Sequence, residues 1–398
     1  MYTVVQPTSS DLRQVRGGAE SLSGIPIIIS EEGSLATVAT DYLIELSLGS
    51  WSGMSGTRLS RNSIDAISRD LVSFLNYCEA FGASWQSMER GDENNPLSVL
   101  GYANAMDTGA WASRRAPISA KTIARRLNVV QDLLRYAGAK GHRTPYAVNP
   151  IRGYGSRVWS DRKRILLPKV EEVTGWLDRV SAAGSRKNYL MARLPFETGL
   201  RRQEILSFPA DGMPTVEQTQ KSEYVYLAIS YGAKGGRSRL DDTLNGKPRT
   251  IRMKSTFALR LMAFKSGRSQ RLADISEMRR HNDKYSVPKE LFFNPRSGRL
   301  YSVGHLNDLF SRYEPPNVPG WSPHIARHVY ACWLLVDLIR ASMSQTGLAQ
   351  AVTYEKFGAL AHRSVEAVQS FLGHEQQDTT ERYLRWAYAH MVETGLFE

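Results

Sequence analysis

The stretch LGHEQQDTTERYL, from Leu372 to Leu384, places His374 nine positions before Tyr383, with Asp378, Thr379 and Thr380 able to open a helix between them. Tyr383 would stand on the first turns of that helix, close to a loop carrying an imidazole. A phenol, with a pKa near ~10, becomes a useful nucleophile only where fixed positive charge stabilises both the phenolate and the group it attacks. The chain carries cations in two other places that could serve. In WSPHIARH, Ser322 suits an N-cap and Pro323 the first helical position, so His324 and Arg327 fall three apart on one face. A helix N-terminus presenting an imidazole and a guanidinium suits a phosphate. In FETGLRRQEIL, Arg201 and Arg202 follow Gly199, which can end one helix and begin another.

Taken in order, these motifs resemble those of the tyrosine recombinases, the phage integrase family of site-specific DNA recombinases. The resemblance rests on TGLRRQE with Arg201 and Glu204, Lys234 in YGAKGG, His324 and Arg327 in HIARH, His374 in LGH, and Tyr383 in TTERYL. It covers about residues 165–398 closely and about 36–150 more loosely.

The resemblance implies transesterification. Tyr383 would attack a DNA phosphodiester, form a 3′-phosphotyrosyl link and release a 5′-hydroxyl; a second 5′-hydroxyl then reverses the step on another strand. The bond energy stays in the covalent intermediate, so no ATP, other cofactor or metal is implied. Arg201 and Arg327 would neutralise the non-bridging oxygens as charge grows in the transition state. Lys234 would protonate the leaving oxygen, with Lys247 as runner-up because the loop 235–247 is longer and more polar than the family's turn. His324 and His374 would bond the phosphate or shuttle the tyrosine proton, and Glu204 would hold the Arg201 guanidinium. Arg202 is expected to face solvent, and His328 and His362 to be packing or surface residues.

The sequence departs from the family in two ways. Ala326 stands where a larger aliphatic residue is usual, and 47 residues separate Arg327 from His374, about twice the family's spacing. The excess, at about 339–361, reads as a helical, half-apolar insertion able to contact another protein.

The formal charge is +12 on 398 residues. Thirteen Arg or Lys between 114 and 164 face only Asp132 and Asp161, so nearly all the excess lies in one eighth of the chain. Solvated faces usually mix signs, so this block points to nucleic acid. Lys121, Arg125, Arg126, Arg143, Arg157, Arg162, Lys163 and Arg164 are the expected DNA contacts. The sequence contains no run of eighteen apolar residues and no basic segment leading into an apolar one, so neither a membrane span nor a secretory signal is expected. Cys78 and Cys332, each in an apolar helical pattern, read as buried free thiols of a reducing compartment. No metal-ligand spacing is present.

The expected fold is mainly α with a small antiparallel β-sheet. Residues 1–35 form an arm, an extra strand or a small appendage; 36–150 form a helical core-binding domain; 151–166 form a basic linker; 167–398 form a mixed α+β catalytic domain with a C-terminal tail that packs in cis or docks on a neighbour. On SAKTIARRLNVVQDLLRYAG, Ile123, Leu127, Val130, Leu134 and Ala137 share one face opposite Lys121, Arg125 and Arg126. SEYVYLAIS alternates as a strand, with KPRTIRM as its hairpin partner.

The implied partners are double-stranded DNA, bound by a monomer or weak dimer that becomes a homo-tetramer on synapsis, and accessory DNA-bending factors. The implied setting is the bacterial, archaeal or phage cytoplasm, at the nucleoid, acting on a mobile element. A type IB topoisomerase-like nicking and resealing enzyme, or a non-catalytic architectural DNA-binding protein, are the competing readings.

Overall fold

The structure is a computed structural model describing residues 1–8, 22–51, 59, 61–111, 116–147, 167–231, 245–267, 270–313, 320–346, 354–373 and 377–394. Lys234, His374, Arg157, Arg162, Lys163, Arg164 and the expected linker 151–166 lie outside these residues, as does the side chain of Lys247. The described residues separate into two compact units, one drawn from Met1–Lys163 and the other from Arg164–Gly236 and Leu244–Glu398.

In the first unit, β1 (Tyr2–Val5) pairs antiparallel with β2 (Ile27–Ser30), in register from Tyr2 opposite Ser30 to Val5 opposite Ile27. Helices α1 (Thr37–Leu48), α2 (Arg61–Phe81), α3 (Val99–Asp107) and α4 (Ala120–Ala139) complete it. The described parts of the N-terminal segment thus form a two-stranded hairpin-like pair, tied to α2 where Asn76 Nδ2 donates to the Tyr2 carbonyl at 3.2 Å and the Met1 amine meets Glu79 at 2.9 Å; residues 9–21 lie outside the described residues. Ser98 and Ser119 cap α3 and α4 by accepting from the amides of Gly101 and Thr122. Ile123, Leu127, Val130, Leu134 and Ala137 are all buried along α4, and the first four share a core cluster with Phe74, Tyr77 and Tyr102. Asp132 sits inside this packing because Tyr42 Oη, Trp51 Nε1 and Arg135 all donate to its carboxylate.

The second unit runs α5 (Val170–Ala182), α6 (Arg186–Thr198), α7 (Arg202–Leu206), α8 (Val216–Lys221), β3 (Tyr224–Tyr231), β4 (Asn245–Lys254), α9 (Ser255–Ser266), α10 (Arg271–His281), α11 (Val303–Arg312), α12 (Pro323–Thr346), α13 (Tyr354–Leu372) and α14 (Gln377–Glu393). β3 and β4 form an antiparallel hairpin, Tyr224 opposite Lys254 through Ile229 opposite Arg249, with a register shift before Tyr231. Alternation puts Val225, Leu227, Ile229, Ile251 and Met253 into a core built around the fully buried Trp176.

A separate apolar cluster joins α12, α13 and α14. Of the expected insertion at 339–361, Ile339, Phe357 and Ala361 are buried in this cluster with Leu384, Ala387 and Met391 of α14. Those three side chains serve internal packing, and residues 347–353 of the expected insertion lie outside the described residues. α14 packs on α12 and α13 of the same chain through Leu384, Ala387 and Met391, and residues 395–398 of the expected tail lie outside the described residues. Among the described residues no helix is long and apolar enough to cross a membrane.

Candidate active site

Gly199 sets the first position. It ends α6 at φ 64°, and a Cβ there would lie 2.5 Å from Tyr330 Cδ1 and 2.9 Å from Leu372 Cδ2, so a side chain would collide with two packed neighbours. The turn delivers Arg201 to the N-terminus of α7, and Glu204, three residues on, folds back to accept from the Arg201 amide at 2.7 Å. Glu204 is completely buried. Its two oxygens also accept a forked pair from Arg249 of β4 at 2.9 and 2.7 Å, and one accepts from Arg201 Nη1 at 3.3 Å.

Three guanidiniums then converge on one helix end. Arg249 Nε donates to the Phe371 carbonyl at 3.0 Å, Arg327 Nη2 to Leu372 at 2.7 Å, and Arg201 Nη2 to Gly373 at 2.8 Å. The carbonyls at a helix C-terminus have no partner within the helix and carry partial negative charge, which is why cations settle there. Arg327 also donates to the Gly199 carbonyl at 2.5 Å, tying α12 to the first turn.

Among the described residues this cluster sets three cations, Arg201, Arg249 and Arg327, against the carboxylate of Glu204. Burial, followed by the Arg201 and Arg249 guanidiniums, pushes the Arg327 pKa down to about 9. Arg249 is lowered as well, by burial first, with Glu204 opposing. Such a site favours binding of an anion, which would relieve the repulsion and still meet charged donors.

Tyr383 lies on α14, only 1% exposed, with its Oη 2.8 Å from Nδ1 of His328. Burial lifts the phenol to about 12 even though Arg327, Arg382 and Arg201 pull it down. His328 is held down to about 3, first by burial and then by His324, Arg382 and Arg327. It is therefore neutral at physiological pH. The exposed His324 meets His328 edge to face, ring centres 4.3 Å apart, one helical turn away.

The structure thus brings together Arg201, Glu204 and Arg327, with Tyr383 inside their electrostatic reach, at the residue preceding His374. Sequence reasoning missed Arg249 and His328. Arg249 had a readable signal: on KPRTIRM it alternates in step with the buried Ile251 and Met253, so it faces inward. His328 was expected to be a packing or surface residue, yet it follows His324 by four residues and so shares its face. His362 is exposed, 3.7 Å from Glu366 one turn on. Arg202, expected to face solvent, is exposed and reaches Asn307 at 3.4 Å.

The expected DNA contacts divide. Lys121 is exposed, and the Arg125 side chain, 52% exposed, is held at 2.9 Å by the buried Asp70. Arg126 lies 3.5 Å from the same carboxylate and donates to Ser73. Arg143 is a correction. Its side chain is fully buried, donating to the carbonyls of Trp85, Met88 and Thr144 and to Glu89, so it clamps a loop of the first unit instead of facing a ligand. A guanidinium has five N–H groups in a fixed fork, enough to satisfy a carbonyl-lined loop that no net-charge count reveals. Among the described residues no group of three His, Cys, Asp or Glu is placed to hold a metal ion.

The fold is that of the tyrosine recombinases. Among solved structures the chain is similar to the XerH site-specific recombinase bound to palindromic difH substrate in a post-cleavage complex, with a TM-score of 0.53 at 15% identity over 89% of this chain and 88% of that one. It is also similar to the Tn1549 transposon integrase in complex with transposon right end DNA (TM-score 0.47, 14% identity, 90% and 99% of the two chains). A lambda integrase dimer bound to a core site gives 0.46 at 12% identity, over 88% and 95%. No family model and no curated protein matches the sequence.

Proposed function

We propose that this chain is a site-specific DNA recombinase of the integrase type, cutting and rejoining double-stranded DNA through a phosphotyrosyl intermediate. The observation that carries the reading is the buried, net-positive cluster of Arg201, Arg249 and Arg327 around the end of α13, within electrostatic reach of the buried phenol of Tyr383. A site-specific recombinase of similar fold, solved in a post-cleavage complex with its DNA substrate, supports it.

In this reading a scissile phosphate enters the cluster. A guanidinium carries five N–H groups, so the two carbonyl bonds of Arg327 fix its plane and leave further N–H groups for phosphate oxygens. Arg201 is fixed in the same way by Glu204 and Gly373. These preorganised charges meet the negative charge that grows as Tyr383 Oη attacks phosphorus. Lys234 or Lys247 would protonate the departing 5′-oxygen, and His374 would bond a non-bridging oxygen. The first unit would grip the duplex through Lys121, Arg125 and Arg126, and the basic stretch 151–166 would cross the backbone, with Arg157, Arg162, Lys163 and Arg164 on phosphates. The chain would work as a tetramer on paired sites of a mobile element.

The test uses a nicked suicide substrate carrying a candidate attachment site. The expected result is a denaturation-resistant protein–DNA adduct that disappears with Tyr383→Phe. An adduct that survives this substitution removes Tyr383 from the mechanism.

A further inference from the structure

The recombinase reading leaves one question of chemistry open on the page: where the phenol proton goes. Tyr383 is 1% exposed, so bulk water has little access to its oxygen. Among the described residues its oxygen has a hydrogen-bond partner in Nδ1 of His328, at 2.8 Å. That ring touches His324, which is exposed, so His328 stands between the buried phenol and the surface along one face of α12. A second aromatic contact fixes the arrangement, with the His328 and Tyr383 ring centres 5.6 Å apart.

We propose that His328 is a catalytic residue, the base that takes the proton of Tyr383 as the phosphorus–oxygen bond forms. This assignment rests on the recombinase function. The imidazole would carry its own proton on Nε2 and offer the Nδ1 lone pair to the phenol. During cleavage the O–H bond breaks and the proton passes to Nδ1. The phenolic oxygen bonds to phosphorus, and the bond from phosphorus to the 5′-oxygen breaks, with that oxygen protonated from the lysine side. On rejoining, the incoming 5′-hydroxyl gives its proton back to that lysine and the phenolate recovers its own from His328. No proton is gained or lost over the cycle.

The same surroundings explain why the pair is inert without DNA. Burial, His324, Arg382 and Arg327 all disfavour an imidazolium at 328. A phosphate among the arginines adds negative charge that offsets this field, and negative charge growing on the phosphate oxygens offsets more. Proton transfer is thereby coupled to arrival of the group to be attacked, which protects the nucleophile between encounters.

Two measurements test the assignment. In the free protein, nitrogen NMR of histidine, with His328→Gln to identify the signal, is expected to show Nδ1 of His328 unprotonated and the proton on Nε2. In the suicide-substrate assay, His328→Gln, which keeps a hydrogen-bonding side chain but cannot carry a proton, is expected to form the adduct about 100-fold more slowly at unchanged DNA affinity. His328→Ala should be as slow and should recover with added imidazole. A proton found on Nδ1, a His328→Gln variant that cleaves at the normal rate, or a folded His328→Ala variant that imidazole does not rescue overturns this assignment alone. No adduct from the unaltered protein overturns the recombinase reading and this assignment with it.

Discussion

Both units bury a carboxylate to aim arginines, and they aim them in opposite directions. In the first unit Asp70, 3% exposed, holds an Arg125 that is 52% exposed, so the guanidinium is steadied but turned to solvent. In the second, Glu204, fully buried, holds an Arg249 that is 6% exposed and an Arg201 that is 25% exposed, and the charges are kept inside. An exposed, steadied arginine loses little to desolvation and can only add to affinity for a polyanion. A confined set of arginines is costly to assemble and gains most when an anion arrives, which is the condition for accelerating chemistry rather than merely binding.

The sharpest way to break this contrast is to remove one arginine from each unit. Arg327→Ala is expected to slow adduct formation at saturating DNA by about 1000-fold with little loss of affinity. Arg125→Ala is expected to leave that rate unchanged while weakening binding and reducing the salt slope by about one. Equal effects of the two variants on binding, with none on rate, would dissolve the distinction.

Stability should divide along the same line. Glu204→Gln leaves the Arg249 and Arg201 guanidiniums short of their counter-charge, at a cost of roughly 3–5 kcal/mol in urea unfolding. The buried pair His328 and Tyr383 adds a pH signature. The folded state keeps the imidazole neutral, with a pKa of about 3 against an ordinary 6.5, so its contribution is complete above about pH 6.5 and is lost as pH falls and the unfolded chain takes up the proton. By pH 5 this amounts to about 2 kcal/mol, and His328→Gln should lack that part of the slope; parallel curves for the two proteins would contradict it. Asp70→Asn is the mildest change, about 1 kcal/mol or less, because Arg125 is well solvated and the substitution also removes the cost of burying a carboxylate. A loss as large as that of Glu204→Gln would mean that the two carboxylates do the same work.

Much of the fold and part of the site could be read from the sequence. The helical face of α4 and the β3–β4 hairpin follow from period 3.6 and period 2, and the structure shows both. Glycine, proline and serine marking helix ends made the Arg201–Arg202 pair and Arg327 visible, whereas the preference for Arg201 and the choice of Glu204 came from the family resemblance of TGLRRQE. Arg249 and His328 were passed over although the alternation along β4 and the spacing from His324 were readable, because the partners that give them a role, Glu204 and Tyr383, stand 45 and 55 residues away in the chain. Arg143 failed for the converse reason. A run of cations reads as one surface, and only packing shows that this guanidinium is spent on carbonyls of its own unit.

The cis packing of α14 has a further consequence. In the proposed reaction the attacking oxygen and the guanidiniums that would receive the phosphate belong to the same polypeptide, because α14 packs through Leu384, Ala387 and Met391 against its own α12 and α13. Copies crippled at Tyr383 would then not be complemented by copies crippled at Arg327. Blending live with dead protein on isolated half-sites would dilute cleavage in simple proportion, with no hybrid centre formed at any ratio.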